Sequence, residues 1–248
     1  MSTCIIGAMS CELEKIREIY NDKFGEPEIC YLTILDGEIV KVDKNIIECK
    51  HPLEQLGDRS VSYYFVPNPD FKIPTYRLEK YGKDHFIFHT YVRNGNANKG
   101  GIILKELSFD KNINIGLSGA LKHYEREGDI ITPTKLSFAD ISKSGLKYYN
   151  GEELRDNIKI NGSITGTEVT SNVFFSDDIK KYFNENFPDC VGVDMESFIL
   201  AEHLKHNIKI VRYISDGLGK NSDYFLTNID EIIDRFNKKI ESLESILI

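Results

Sequence analysis

The strongest constraint on this chain is a rhythm of short apolar runs, each followed by an amphipathic segment. TCIIGAM at residues 3–9 gives way to an acidic helical stretch from about Cys11 to Tyr20. Near the other end, IKIVRYISDGLG (208–219) reads as a buried strand. It precedes a helix whose Ile229, Ile232, Ile233, Phe236, Ile240 and Leu243 share one stripe. Between them, YLTILDGEIVKV predicts a hairpin turning at Asp36-Gly37, and DHFIFHTY predicts a further strand. ANKGGIILKEL predicts a helix weakened by Gly100 and Gly101, and NINIGLSGAL a strand running into a glycine-containing turn. GDIITPTKLSFADI and IKINGSITGTEV add extended segments, the first turning at Pro133, and a helix follows from about Asp177 to Asn186. Strands alternate with helices, and antiparallel-looking pairs interrupt them. This order predicts an α/β sandwich around a mixed, strongly twisted sheet.

Residues from about 51 to 80 break the rhythm with prolines and a cluster of tyrosines that follow no period. They read as an aromatic excursion from the core of one domain spanning 1–248, too aromatic for a disordered linker. A chain of 248 residues with 41% hydrophobic content can bury such a core.

Charge and composition narrow the partners. A net charge of −8 argues against a nucleic-acid backbone, which needs a basic surface. No stretch has the apolar length of a membrane span, and the N-terminus lacks a basic segment followed by an apolar run. The five cysteines have no CxxC spacing and the six histidines no HExxH pattern. The expectation is a cytoplasmic protein with no disulfide framework, metal or cofactor.

VDMESF (193–198) poses a sharper question. Ser197, Leu200, Ala201 and Leu204 recur at core-helix spacing, and Asp194 suits the N-cap. Glu196, however, lies about 40° around the helix from Leu200, at the flank of the buried stripe. A carboxylate there needs a partner, because burying it unpaired costs several kcal/mol. Two other acids stand just after strand-like runs: Glu12 after IIGAM and Asp216 after IVRYIS. Each has a plain local reading, Glu12 as a first-turn helix acid and Asp216 as a turn residue before Gly217. Ligand crevices of open α/β sheets lie at the carboxyl ends of strands, so the three acids are also candidates for one site.

IIGAM followed by Glu12, INIGLSGAL, GDI, TGTEV, VDMES and VRYISDG, in that order, resemble the nucleoside phosphorylase/nucleosidase superfamily. The resemblance is to methylthioadenosine/S-adenosylhomocysteine nucleosidases in particular. It touches most of the chain but skips residues from about 40 to 85. It implies a three-layer α/β sandwich around a mixed, twisted β-sheet, nucleoside phosphorylase-like, and hydrolysis of a purine N-ribosidic bond. It further implies that Glu12 activates water, that Asp216 protonates purine N7 from a partly dry crevice, and that Glu196 accepts the ribose hydroxyls with Met195 packed on the sugar. Ser118, Gly119, Val169, Thr170 and Ser215 are its remaining substrate contacts. The alternatives are a phosphate-dependent purine nucleoside phosphorylase and a non-catalytic nucleoside-binding protein.

The chain departs from the family pattern in places. Asn114 stands where phosphorylases carry a phosphate-binding arginine, and Leu117 replaces a hydroxyl residue, so both favour water as nucleophile. Val169 matches the aromatic that stacks on the base, so either the base is held less tightly or Tyr63, Tyr64 or Phe65 of the excursion supplies a replacement. Arg59 stands in a faint echo of a phosphorylase phosphate segment. Arg93, near the turn leading into the glycine-containing helix, is a candidate phosphate contact that would make a nucleotide the substrate. The resemblance also implies a homodimer or higher homo-oligomer, and the aromatic segment SVSYYFVP places residues 60–66 at or near the interface or the pocket mouth.

Overall fold

The computed structural model describes residues 1–35, 37–42, 75–92, 94–142, 144–220 and 222–248. They form β1 (Thr3–Gly7), α1 (Ser10–Phe24), β2 (Glu28–Leu35), β3 (Glu38–Val42), β4 (Tyr76–Tyr81), β5 (His85–His89) and α2 (Asn94–Leu107). β6 (Lys111–Ala120), β7 (Ile130–Ile131), β8 (Lys135–Ser142), β9 (Gly145–Glu153), β10 (Thr167–Ser171) and α3 (Asp177–Asn186) follow. The chain closes with β11 (Cys190–Asp194), α4 (Ser197–Leu204), β12 (Ile208–Asp216), α5 (Ser222–Thr227), α6 (Ile229–Glu241) and α7 (Glu244–Leu247).

β1 shows why the apolar runs have no polar alternation. Successive side chains of a strand point to opposite faces, and here both faces are covered. Ile5 packs with Leu13, Ile16 and Tyr20 of α1 and with Phe236 and Ile240 of α6. Cys4 and Ile6 pack on the other side with Ala97, Ile103 and Leu104 of α2 and with Leu200 and Leu204 of α4. The molecule is a three-layer α/β sandwich. Its mixed sheet runs β3-β2-β4-β5-β1-β6-β11-β10-β8-β9, with β12 pairing β6 and β7. The centre is parallel and the two ends are antiparallel hairpins, β2–β3 and β8–β9.

Three features differ from the sequence reading. Gly116 and Gly119 lie inside β6 rather than in a turn. The end of the 51–80 excursion is β4, a full sheet member paired with β2 and β5. Asp194 is the last residue of β11, and Glu196 itself occupies the N-cap position of α4. The hairpin of β2 and β3 forms as expected, although Asp36 lies outside the described residues, as do Arg59, Tyr63, Tyr64, Phe65 and Arg93.

β6 is the branch point of the sheet. It runs parallel to β1 and β12, and its last residues, Gly119 and Ala120, pair antiparallel with β11. A crevice therefore opens between β11 and β12. Behind it lies a buried ionic knot. Arg212 of β12 donates through Nε to Asp194 Oδ2 at 2.8 Å, and its Nη2 lies 2.7 Å from the same oxygen. Nη2 also donates to Asn114 Oδ1 of β6 and, at 2.6 Å, to Ser197 Oγ of α4. Asp194 in turn accepts the Ser197 N–H at 3.1 Å and, at 2.6 Å, the Thr170 hydroxyl of β10. It thus caps α4 from outside the helix. Removing one member of a buried pair strands the other charge. Asp194→Ala should lower the unfolding free energy by about 3–5 kcal/mol, read by urea titration; a loss near zero would show that the knot does not hold the crevice.

Candidate active site

The ends of β6, β11 and β12 and the start of α1 supply much of the crevice, with Lys180 of α3, Phe225 of α5 and the connection after β10 closing it. A cavity opens there, lined by Glu12, Leu117, Ser118, Gly119, Val193, Met195, Glu196, Ser215 and Asp216 among others. The three acids picked out from sequence, Glu12, Glu196 and Asp216, share this one cavity with the expected Met195, Ser118, Gly119 and Ser215.

Glu12 sits in the first turn of α1 and is 3% exposed. Its Oε2 accepts the N–H groups of Ala8 at 3.1 Å and Met9 at 2.8 Å, and its Oε1 accepts the Leu117 N–H at 2.9 Å. A carboxylate offers about four acceptor positions, so one remains. Burial raises the Glu12 pKa above its ordinary 4.5, although these donors and the charge of Arg212 pull the other way. The loop carrying Ala8 is fixed from behind: His89 Nε2 lies 2.9 Å from the Ala8 carbonyl, and burial lowers the His89 pKa to about 3. The ring is therefore neutral and donates to that carbonyl.

Asp216 ends β12 at a register shift against β6, where Ser215 is skipped and the carboxylate turns toward Gly119. Ser215 Oγ donates to Asp216 Oδ1 at 2.7 Å. Oδ2 is in a salt bridge with Lys180 of α3, a lysine that is only 2% exposed. A buried cation is thus set against this acid. Along β6, the contacts of Glu12 and Asp216 fall two residues apart, at Leu117 and Gly119, about 7 Å of strand.

Some expected contacts are elsewhere. Val169 and Thr170 lie in β10 with no exposed surface and do not line the cavity. Both faces of β10 are covered: Val169 packs with Leu121 and Phe183, and the Thr170 hydroxyl is committed to Asp194. The aromatics at the cavity are Phe174 and Phe175, just beyond β10, and Phe225 of α5. Asn114 is buried behind the wall, donating to the Ile6 carbonyl at 3.1 Å. The Ser118 hydroxyl donates to Glu168 Oε1 at 2.6 Å, and burial, reinforced by Asp194, pushes the Glu168 carboxyl well above its ordinary value.

Sequence reasoning missed Lys180, Glu168, Phe174 and Phe175. A signal existed for Lys180, which shares the stripe of Phe183 and Phe187 at i, i+3 and i+7, where a lysine is out of place. Among the described residues, no group of three or more His, Cys, Asp and Glu side chains is placed to hold a metal ion.

No family model matches the chain. A 5′-methylthioadenosine/S-adenosylhomocysteine nucleosidase of Buchnera aphidicola subsp. Schizaphis graminum is 31% identical over 166 residues, 54% of this chain and 70% of the relative. The chain belongs to this nucleosidase family. It is an N-glycosidase of the nucleoside phosphorylase/nucleosidase superfamily, a hydrolase of purine nucleosides. The nucleosidase of the same name from Buchnera aphidicola subsp. Acyrthosiphon pisum (strain Tuc7) is 27% identical over 198 residues, 68% of this chain and 85% of the relative. In fold, the chain is similar to the Helicobacter pylori nucleosidase crystallised with butyl-thio-DADMe-Immucillin-A. The TM-score is 0.64 at 15% identity, covering 98% of this chain and 97% of that one.

One backbone position makes the Glu12 geometry possible. A Cβ at Gly116 would stand 2.8 Å from Glu12 Oε1 and 3.1 Å from Arg212 Nη1. Gly116→Ala should displace the carboxylate and lower kcat/KM for purine release by about 10²-fold, the usual effect of a misplacement near 1 Å. Wild-type rates in this variant would show that Glu12 needs no such approach.

Proposed function

We propose that Glu12, Glu196 and Asp216 perform the hydrolysis, acting on purine nucleosides of the 5′-methylthioadenosine and S-adenosylhomocysteine kind. The observation that carries this reading is the convergence of the three acids, from three separate strand ends, on one cavity. Its walls at Ala8, Met9, Val92 and Phe225 are apolar, which suits a thioether at the ribose 5′ position.

The chemistry follows from the placements. The N9–C1′ bond breaks with its electron pair leaving on the purine, and C1′ gains oxocarbenium character. Glu12 uses its remaining acceptor position to orient a water and takes its proton as the oxygen bonds to C1′. N7 of the leaving base receives a proton through Asp216, which takes one from the Lys180 ammonium in the same step and leaves the lysine its other two N–H groups. Glu196 accepts hydrogen bonds from the 2′ and 3′ hydroxyls, and Met195 packs against the sugar. Afterwards Glu12 releases its proton and the Asp216–Lys180 pair regains one, so the cycle is neutral.

Among the described residues no arginine lines the cavity, which supports water over phosphate as nucleophile. Arg93 and its candidate phosphate contact lie outside the described residues. The reading treats 1–248 as one domain, supported by a single sheet that runs through the described residues. It places the protein in the cytoplasm as a homodimer. The free thiols of Cys4, Cys11, Cys30 and Cys190 fit a reducing compartment, and no described helix is long and apolar enough to cross a membrane. Residues 60–66, expected at the interface or the pocket mouth, lie outside the described residues. Light scattering at micromolar concentration tests the dimer: a monomer that turns over substrate contradicts it.

Glu12→Gln tests the chemistry. The variant should lose about 10²–10⁴-fold in kcat, with ligand affinity largely kept, in phosphate-free buffer. Unchanged turnover removes Glu12 from the mechanism. The pH profile supplies a second check. A general base works ionised, so a raised pKa moves its acid limb upward. The rate should fall as pH drops through a value above 4.5, and a flat profile down to pH 4.5 would contradict the assignment.

A further inference from the structure

The mechanism above asks Asp216 for a proton but gives Lys180 no task beyond supplying it. Yet Lys180 is an expensive residue to place there. It stands on the buried stripe of α3, lines the same cavity as the three acids, and carries its charge out of water. Its ammonium has three N–H donors. One meets Asp216 Oδ2 and a second meets the Lys220 carbonyl at 2.9 Å. The third has no partner among the described residues.

The pairing alters what the acid end of the cavity presents to a base. A lone carboxylic acid offers one donor and one acceptor side by side. That suits a 6-aminopurine, whose edge shows N7 as acceptor and the C6 amine as donor. In this chain both Asp216 oxygens already accept, Oδ1 from Ser215 and Oδ2 from Lys180. The lysine adds a donor beside the acid. A donor pair suits a 6-oxopurine, whose N7 and O6 are both acceptors. Gly119 keeps the approach open, since a Cβ there would come within 3.2 Å of Asp216 Oδ2.

We infer that Lys180 is a specificity-determining residue that reads the C6 substituent, extending the enzyme's range from 6-aminopurine to 6-oxopurine nucleosides. The inference rests on the proposed orientation, in which base N7 faces Asp216. The third ammonium hydrogen meets O6 of a 6-oxopurine. With a 6-aminopurine the ammonium stays on Asp216 and Lys220, and the amine donates to the Asp216 carboxylate.

A matched pair of substrates differing only at C6 tests this: 5′-methylthioadenosine and 5′-methylthioinosine, with free base followed chromatographically. The wild type should cleave both. Lys180→Met should lower the ratio of kcat/KM for the 6-oxo over the 6-amino member by tenfold or more, the usual loss of a hydrogen bond from a charged donor. A merely structural role would lower both rates together and leave the ratio unmoved. Circular dichroism and the urea midpoint report that the variant is folded, independently of its rates. Lys180→Ala, which leaves room for water around Asp216, is read against the same threshold if the methionine variant is insoluble. A fall in the ratio of less than tenfold overturns the inference, as does a wild type that cleaves only the 6-amino member. A wild type that cleaves neither overturns the proposed function along with it.

Discussion

The buried pair of Arg212 and Asp194 is the interaction on which the crevice depends. It ties β12 to β11, reaches β6 through Asn114, holds the start of α4 through Ser197, and takes in β10 through Thr170. A sheet that splits at β6 has unpaired backbone to satisfy and a gap to hold open. Apolar packing is non-directional and would tend to close that gap. A charged pair with directional donors fixes the spacing of four strands and a helix instead. Such a pair is costly to desolvate and gains its value only when every member is satisfied, as it is here.

The site is built on that frame by placing acids where backbone and fixed side chains can hold them. Glu12 is gripped by N–H groups from two separate segments, the β1–α1 connection and β6, so its position is defined by the sheet itself. Asp216 is turned by a register shift and clamped between Ser215 and Lys180. The two carboxylates thus stand in distinct surroundings: Glu12 is buried among backbone N–H groups within reach of the Arg212 charge, and Asp216 faces the Lys180 ammonium and the Ser215 hydroxyl.

Much of this was legible in the sequence because it is local. Glu12, Glu196 and Asp216 each follow an apolar run, and strand ends are where α/β sheets gather their ligands. The C-terminal stripe from Ile229 to Leu243 packs as its spacing predicts. What escaped depends on partners distant in sequence. Lys180 meets Asp216 across 36 positions, and Ser118 meets Glu168 across 50. The glycines of NINIGLSGAL suggested a turn, yet they are strand residues kept small because Glu12 and Asp216 press on them. Val169 followed the motif pattern but points into a doubly covered strand, while Phe174 and Phe175, just beyond that strand, reach the cavity. The tyrosine-rich stretch gave no periodic signal, and its final residues proved to be β4.

The proposed roles require one cavity to present Glu12 to the attacking water, Glu196 to the sugar and Asp216 to the base. A crystal structure of the Glu12→Gln protein soaked with 5′-methylthioadenosine tests this most directly, because the slowed variant should hold the intact nucleoside. Uncleaved ligand is expected with its 2′ and 3′ hydroxyls on Glu196, N7 within hydrogen-bond distance of Asp216, and C1′ facing residue 12. A nucleoside bound in the reverse direction, or outside this cavity, would contradict these roles.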